Sequence, residues 1–404
     1  MVVAGGPLFT SEYDQFENVD HFILNEAELT LPPFLSDLKK GSARHVYETS
    51  EFCEIRETPA PMWQLINLKH YASMCIQFSR GCPFNCEFCN VTALFGHRPR
   101  FKTAEQIVAE LDSLYDLGWH GQIFFVDDNF IGNKNYLKTS LLPALIQWQK
   151  GKKGLPFNTE ASVNLADDKP LMEMMVKAGF DTVFIGIETP NEESLAECNK
   201  KQNTNRDLVT CVKLMQQAGL QVQGGFIVGF DSDTPSIFQR QIEFIQKSGI
   251  VTAMVGLLQA PPGTKLHERM GKEGRLIGLL SGDNVDSTTN IIPKMGLNTL
   301  REGYRGILQH IYSPEHYYKR ARTFLREYKA PQIKASLDFQ RLLGFFRSSI
   351  RLGIFGRERF QYWRILLWTL LHKPQLFPLT ITFAIYGHHF RKICKLNKLQ
   401  ANEK

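Results

Sequence analysis

The chain has 404 residues, 43% of them hydrophobic and 22% charged, which is ample for a core of two or three domains and too ordinary a balance for a disordered protein. Eight cysteines in this length do not make a disulfide framework, the first residues show no signal peptide, and no stretch reaches the ~18 uninterrupted apolar residues of a membrane span. A cytoplasmic location, at most peripheral to a membrane, is therefore expected. The net charge of +6 is uneven: residues 340–404 hold 12 Lys and Arg against 2 acidic residues, leaving −4 for residues 1–339.

In chain order, "MVVAGGP" reads as the end of a strand entering a Gly-rich turn, and "HFILNEAE" as a second short strand. A strand this close to the start has no visible partner, which suggests that most of an N-terminal domain is missing. From about 70 to 260 apolar runs alternate with helical patterns. Tyr71–Phe78 is the first run. "TAEQIVAELDSLYDLG" follows, with Thr103 and Gln106 as a capping box, Ile107, Val108, Leu111, Leu114 and Tyr115 on one face, and Gly118 as the stop. "QIFFVDD" is a buried strand, 134–150 a helix and "FNTEASV" a strand. "DKPLMEMMVKAG", "TVFIGIE", "RDLVTCVKLMQQAG", "VQGGFIVGF", "TPSIFQRQIEFIQKSG" and "VTAMVGLLQ" continue the alternation.

Six β/α repeats with crossover helices predict an α/β fold built on a parallel sheet, a partial (β/α)6 TIM-like barrel, followed by a mostly helical C-terminal domain. Sites in such folds lie at strand C-terminal ends, where Asp127, Asp128, Glu160, Ser162 and Glu188 fall. Residues 281–296 read as a loop, 297–330 as helical, and 335–400 as basic, aromatic helix broken by Pro374 and Pro378.

The loop after the first strand, "SRGCPFNCEFCN", sets Cys82, Cys86 and Cys89 at C-x3-C-x2-C. Structural zinc takes four protein ligands, and a fourth would have to be His97 at a spacing foreign to zinc fingers. A ferredoxin wants four cysteines per cluster. Three thiolates suit a [4Fe–4S] cluster whose fourth iron stays open. Cys53, Cys75, Cys198, Cys211 and Cys394 are scattered and read as buried apolar filler.

This cysteine triplet, with Phe88 before its third member and a (β/α)6 context, resembles the radical S-adenosylmethionine (radical SAM) superfamily. The resemblance implies that Cys82, Cys86 and Cys89 bind the cluster and that S-adenosylmethionine chelates the open iron. One electron then cleaves S-adenosylmethionine reductively, and the 5′-deoxyadenosyl radical abstracts hydrogen from the substrate. By the same resemblance Phe88 lies beside the adenine, and Asp127 or Asp128 meets the methionine amino group, where the usual Gly-Gly-Glu is absent. Glu160, Ser162 and Glu188 bind ribose hydroxyls or the methionine end, and Gly225 belongs to the glycine-rich fifth strand near adenine.

"VDDNF", "GIET" and "PPGTKL" are most similar to the cobalamin-associated class, and "GYRGILQHIYSPEHYYKRARTFL" with "AIYGHHFRK" resembles the C-terminal domain of unknown function of its hopanoid C-2 methylase-like subgroup. This resemblance divides the chain into a remnant of a cobalamin-binding domain and linker (1–45), a radical SAM partial barrel (46–265) and a helical domain (266–404). Cobalamin is implied by the class alone, because its D-x-H-x-x-G segment has no counterpart in these residues. A flavodoxin- or ferredoxin-like electron donor is implied as partner.

The implied activity is radical modification of an unactivated carbon by a methyltransferase. Radical cyclisation or oxidation without methyl transfer, and a non-enzymatic Fe–S protein, stay open as alternatives. The basic, aromatic tail suits an anionic membrane surface and a lipid substrate, but an amphipathic helix packed on the barrel explains the same pattern and is preferred. His388 and His389 read as structural or surface residues, and nucleic acid is not expected, since the basic residues form no polar stripe.

Overall fold

The computed structural model describes residues 1–152, 155–280, 287–330 and 339–401. Six parallel strands make the main sheet: β1 (Ser73–Ile76), β2 (Gln122–Phe125), β3 (Phe157–Ala161), β4 (Phe180–Glu188), β5 (Gln221–Val228) and β6 (Ala253–Leu257). They lie side by side in chain order, with β1 and β6 at the two edges, as right-handed crossovers through outer helices require. The sheet is a partial (β/α)6 barrel.

The crossovers are α1 (Ala104–Asp116), α2 (Leu142–Gln149), α3 (Lys169–Ala178), α4 (Leu208–Ala218) and α5 (Ser236–Ser248). Thr103 and Gln106 form the expected capping box on α1, and α3 and α4 end on left-handed Gly179 and Gly219. The segment before α2 is less regular than its pattern suggests. A π turn, Leu137–Leu141, precedes Pro143, whose ring and missing N–H disfavour regular helix at that point.

Strand alternation separates two faces. Ile123, Phe125, Phe157, Val183, Ile185, Val222 and Val228 are buried under the helices. Phe124, Asn158, Glu160, Phe184, Gly186, Gly225 and Gly256 are only half-buried on the other face, and Cys75 and Met254 there are exposed. A closed barrel fills its interior with side chains; this one leaves it open. Cys75 is therefore not buried filler, and Cys394 is half-buried, whereas Cys53, Cys198 and Cys211 are buried as expected.

The opening strand does have partners. Val3–Gly5 pairs in parallel with His21–Ile23, which pairs with Val46–Tyr47 across the helix Ala27–Lys39.

Beyond the barrel run α6 (Lys265–Lys272), α7 (Leu297–Ile311), α8 (Pro314–Glu327), α9 (Phe339–Ser348, prolonged by a π turn to Ile354), α10 (Arg359–His372) and α11 (Phe377–Ala401). The helical prediction holds, with breaks at Pro374 and at Pro378, which sits in the first turn of α11. Residues 281–286 and 335–338 of the predicted loop and tail lie outside the described residues. Buried Arg320 of α8 fixes the helices to the barrel by donating to Gln246 of α5 (2.6 Å) and to the Ile311 carbonyl (2.8 Å), and Tyr312 donates to Ala253 O of β6 (2.7 Å). Tyr317 donates to Phe383 O of α11 (2.7 Å), so α7, α8 and α11 cap the barrel.

Candidate active site

The cysteine loop begins where β1 ends. Asp127, just past β2, is fully buried and accepts hydrogen bonds from Phe78 N (3.2 Å) and from the backbone and hydroxyl of Ser79. Burial pushes its carboxyl up to about 7 against those donors. Gly81 then turns the chain at φ +92°; a Cβ there would press on the carbonyl oxygens of Phe95, Gly96 and Arg98 at 3.0 Å each. Ser79–Arg80 pairs with Arg100–Phe101, which closes the base of the loop.

Ion pairs hold the loop from outside. Arg80 bridges to Glu28 (2.7 Å) and Arg100 to Glu26 (2.7 Å), tying it to the N-terminal helix. Arg269 of α6 grips Glu87 with both nitrogens (2.7 and 3.0 Å) and also reaches Asp231 beyond β5 (2.7 Å). Leu266 N donates to Glu87 O (3.0 Å), so "PPGTKL" is a buttress of the loop. From the far side, Asn199 donates to Asn85 O (2.7 Å) and Glu87 N donates to Cys198 O (2.9 Å).

Inside this frame lies a cavity of about 180 Å³ at the C-terminal ends of the strands. Cys82, Cys86 and Cys89 face it from the loop, with Phe88, Asp128, Glu160, Ser162 and Glu188 opposite or beside them. Phe88 is anchored by an edge-on contact with Phe230 (6.3 Å between ring centres). Ser162 donates its N–H to Asn129 Oδ1 (3.1 Å) and its hydroxyl to Asn164 Oδ1 (2.6 Å). Burial raises the Glu160 carboxyl to about 7, helped by the neighbouring Asp128 and Glu188 charges, and burial also raises Asp128.

Two expected residues stand apart. Asp127 does not line the cavity: it is committed to Phe78 and Ser79, and its neighbour Asp128 takes the inward position. Gly225 is screened by Phe184, whose ring would lie 2.8 Å from a Cβ on that glycine. His97 is exposed and not among the lining residues, and His388 contacts Glu358 at 3.4 Å.

The sequence reading missed Lys200, Gln202 and Asn129, which also line the cavity. Lys200 Nζ pairs with Glu188 Oε1 at 2.6 Å, with side chains only 12% and 8% exposed, and lies 5.9 Å from the Phe88 ring centre. Burial pulls the Lys200 ammonium down, but Glu188 and the Cys86 thiol outweigh it and hold it above its ordinary value. Gln202 Nε2 points at Cys86 Sγ (3.7 Å). Glu188 is itself unusual, a non-glycine residue in the left-handed region (φ +62°) that ends β4. Asn203 pins the strand end by donating to Gly186 O and Ile187 O (3.0 Å each), and Gln241 donates to Glu188 O (2.9 Å). Only the turn-forming asparagines around "CNKKQN" hint at this segment in the sequence.

The donor set fits an Fe–S cluster. Among the described residues, no three His, Cys, Asp or Glu side chains close on one point as they would around a single ion. The three thiols face a shared cavity, and a [4Fe–4S] cluster takes one thiolate per iron. Burial raises Cys82 and pushes Cys89 up to about 12, so these two thiols release their protons when a metal takes them.

The profile of the Radical SAM superfamily matches residues 76–245, and that of a domain of unknown function, DUF4070, matches 264–403. An uncharacterised methyltransferase of Synechocystis sp. is 39% identical over all of this chain and 76% of its own length. The hopanoid C-2 methylase of Rhodopseudomonas palustris is 32% identical over 92% of this chain and 72% of its own length. Among solved structures, the cobalamin-dependent S-adenosylmethionine radical enzyme OxsB, with aqua-cobalamin and S-adenosylmethionine bound, superposes with a TM-score of 0.58 at 15% identity, covering 99% of this chain and 67% of its own. The methyltransferase TsrM from Kitasatospora setae, with cobalamin and a [4Fe–4S] cluster bound, gives 0.56 at 16% identity, over 67% of this chain and 59% of its own. Fold, cysteine site and kinship agree: the chain is an enzyme that belongs to the radical SAM superfamily, in the group of the hopanoid C-2 methylase and its methyltransferase relatives.

Proposed function

We propose that the chain methylates an unactivated carbon of a lipid substrate by radical SAM chemistry. The observation that carries this reading is one cavity lined by three cysteines, three carboxylates and a lysine, in a chain 32% identical to the hopanoid C-2 methylase. When bound, the [4Fe–4S] cluster supplies the electron that cleaves S-adenosylmethionine reductively.

The residues then have distinct tasks. Cys82, Cys86 and Cys89 hold the cluster. Asp128 and Glu160 offer carboxylates to the ammonium of the methionine end, while Lys200 pairs with Glu188 and offsets the charge of the thiolates. Phe88 covers the cavity on the adenine side, and Ser162 lies within reach of polar ribose or methionine groups. No D-x-H-x-x-G segment is available in these residues, and none of these tasks involves cobalamin. In this reading the barrel, about 46–265, carries the chemistry and the helices after it carry substrate access from the membrane periphery.

Anaerobic reconstitution with iron and sulfide, followed by dithionite and S-adenosylmethionine, is expected to give 5′-deoxyadenosine. Methyl-labelled S-adenosylmethionine with a lipid extract should place label in a lipid product. An unlabelled product would sink methyl transfer and leave radical cleavage standing.

A further inference from the structure

A helix that is apolar on every side belongs in a place where every side is covered. Helix α10 carries large apolar side chains on two opposite faces, and only one of the two is covered. Tyr362, Ile365, Leu366 and Thr369 are buried against the protein. Phe360, Trp363, Leu367, Leu370 and Leu371 are exposed, Phe360 by 74% and Leu371 by 78%. At 3.6 residues per turn these five fall within an arc of about 100°. Arg359 and Arg364 stand on its two borders.

The preceding helix continues the surface. Leu342, Phe346, Ile350, Ile354 and Phe355 are exposed, Phe355 by 80%. Trp363 welds the two stripes together: its Nε1 donates to Gly353 O (3.0 Å), and its ring fills the space of a Cβ on Gly353. Ten large apolar side chains on two adjoining helices exceed the scatter of single hydrophobics that a soluble surface shows.

The charge around this face has one sign. Arg347, Arg351, Arg357, Arg359 and Arg364 are exposed. The acidic residue within 342–373, Glu358, is buried and paired with Arg391 at 2.7 Å. On the flank lies a cleft of about 320 Å³ lined by Lys319, Arg322, Gln361 and Arg364, with Glu315 as its acid. Arg322 Nε and Gln361 Oε1 in that cleft are buried without a hydrogen-bond partner. Arg364 belongs to both the cleft and the border of the apolar arc.

We propose that this two-helix face docks the chain on an anionic phospholipid surface. The apolar side chains seat in the acyl boundary, the border arginines meet lipid phosphates, and the flanking cleft receives a headgroup. A second copy fits poorly, because two-fold pairing would set the arginines of one apolar arc against those of the other, and Glu315 in the flanking cleft is the one exposed carboxylate among the described residues of this face and its cleft. No helix among the described residues is long and apolar enough to cross a membrane, so the contact is one of lying on the surface. The inference deepens the lipid reading above, but it rests on the helices and not on the cysteine site.

The test uses the full chain with its cluster reconstituted, floated on density gradients with phosphatidylcholine vesicles or with vesicles that also contain phosphatidylglycerol. Flotation is expected with the anionic vesicles and is expected to fall steeply with salt. L367E/L371E, at two exposed positions, should weaken flotation at least tenfold, roughly, by placing charge in the acyl boundary. R359Q/R364Q should weaken it about tenfold on anionic vesicles. Absence of flotation on the anionic vesicles, flotation unchanged in L367E/L371E, or a dimer in sedimentation that L367E/L371E dissolves would overturn the proposal. Formation of 5′-deoxyadenosine without vesicles, measured on the same samples, reports separately on the cysteine site.

Discussion

The cavity and the outer face of α10 invert the ordinary partition of side chains in opposite directions. The cavity takes charge out of water: Lys200, Glu188, Glu160 and Asp128 crowd around three thiols. The α10 face leaves Phe360, Leu367 and Leu371 in water. Polar groups inside and large apolar groups outside are the informative placements, since each costs free energy in the isolated chain. The difference lies in what offsets that cost. In the cavity the protein itself supplies part of the answer, through the Lys200–Glu188 pair and the clamps on the loop. On α10 none of the described residues does, and in the proposal above the compensation arrives with a lipid surface.

The largest effect that tests this contrast is expected at Lys200. Removing one member of a buried ion pair strands the other, so K200M should destabilise the cluster-free chain by about 3–5 kcal/mol in urea unfolding. The double variant E188Q/K200M should recover much of that loss. If K200M and the double variant cost the same, the pair is not what stabilises the cavity.

Asp127 comes next. D127N keeps the shape but turns an amide N–H₂ toward donors that need an acceptor. A loss of about 2 kcal/mol is expected, together with poorer iron loading, although no cavity-lining group has changed. Full loading in D127N would show that the loop holds its form without this clasp.

These residues also mark how far the sequence could be read. The order of strands and helices was legible because apolar runs and capped helical patterns alternate with few exceptions. The cysteine loop was legible because C-x3-C-x2-C places three thiols on one short turn. Choosing between Asp127 and Asp128 needed only the strand period carried one step further. Ile123 and Phe125 face the helices, so Asp127 falls on their side and Asp128 on the open side. Lys200 and Gln202 were not legible, because a loop after the short helix Glu192–Glu197 reaches them to the cysteines by tertiary packing alone. Cys75 was misjudged from the burial habit of its residue type, which does not hold on the open inner face of a six-stranded barrel.

A smaller effect is expected from pH. Glu160 sits among Asp128, Glu188 and Lys200, and its carboxyl is raised from 4.5 to about 7. Its ionised form therefore appears only as pH rises through that value. In the ligand-free chain the group favours folding on the acid side, and that contribution is lost between the two values as pH rises. Binding of cationic S-adenosylmethionine runs the other way and should tighten by roughly fivefold across the same transition. Equilibrium dialysis with the reconstituted, unreduced protein measures it, and E160Q should bind more weakly with a flat profile. A pH-dependent affinity retained in E160Q would assign the effect to Asp128.

The smallest effect is the one that isolates the α10 face. Leu371 is 78% exposed and Leu366 is buried on the opposite side of the same helix. L371Q removes apolar surface that the fold does not use, so thermal unfolding without lipid should change by less than about 0.5 kcal/mol. L366Q buries an amide without a partner and should cost about 2 kcal/mol or more. With anionic vesicles present the ranking is expected to shift, because lipid that binds the native chain stabilises it in proportion to occupancy, and L371Q forfeits part of that gain. A side chain that is neutral for folding and matters only in the presence of lipid serves an interface, whereas a loss in L371Q without lipid would mean that the helix face is packed against the protein after all.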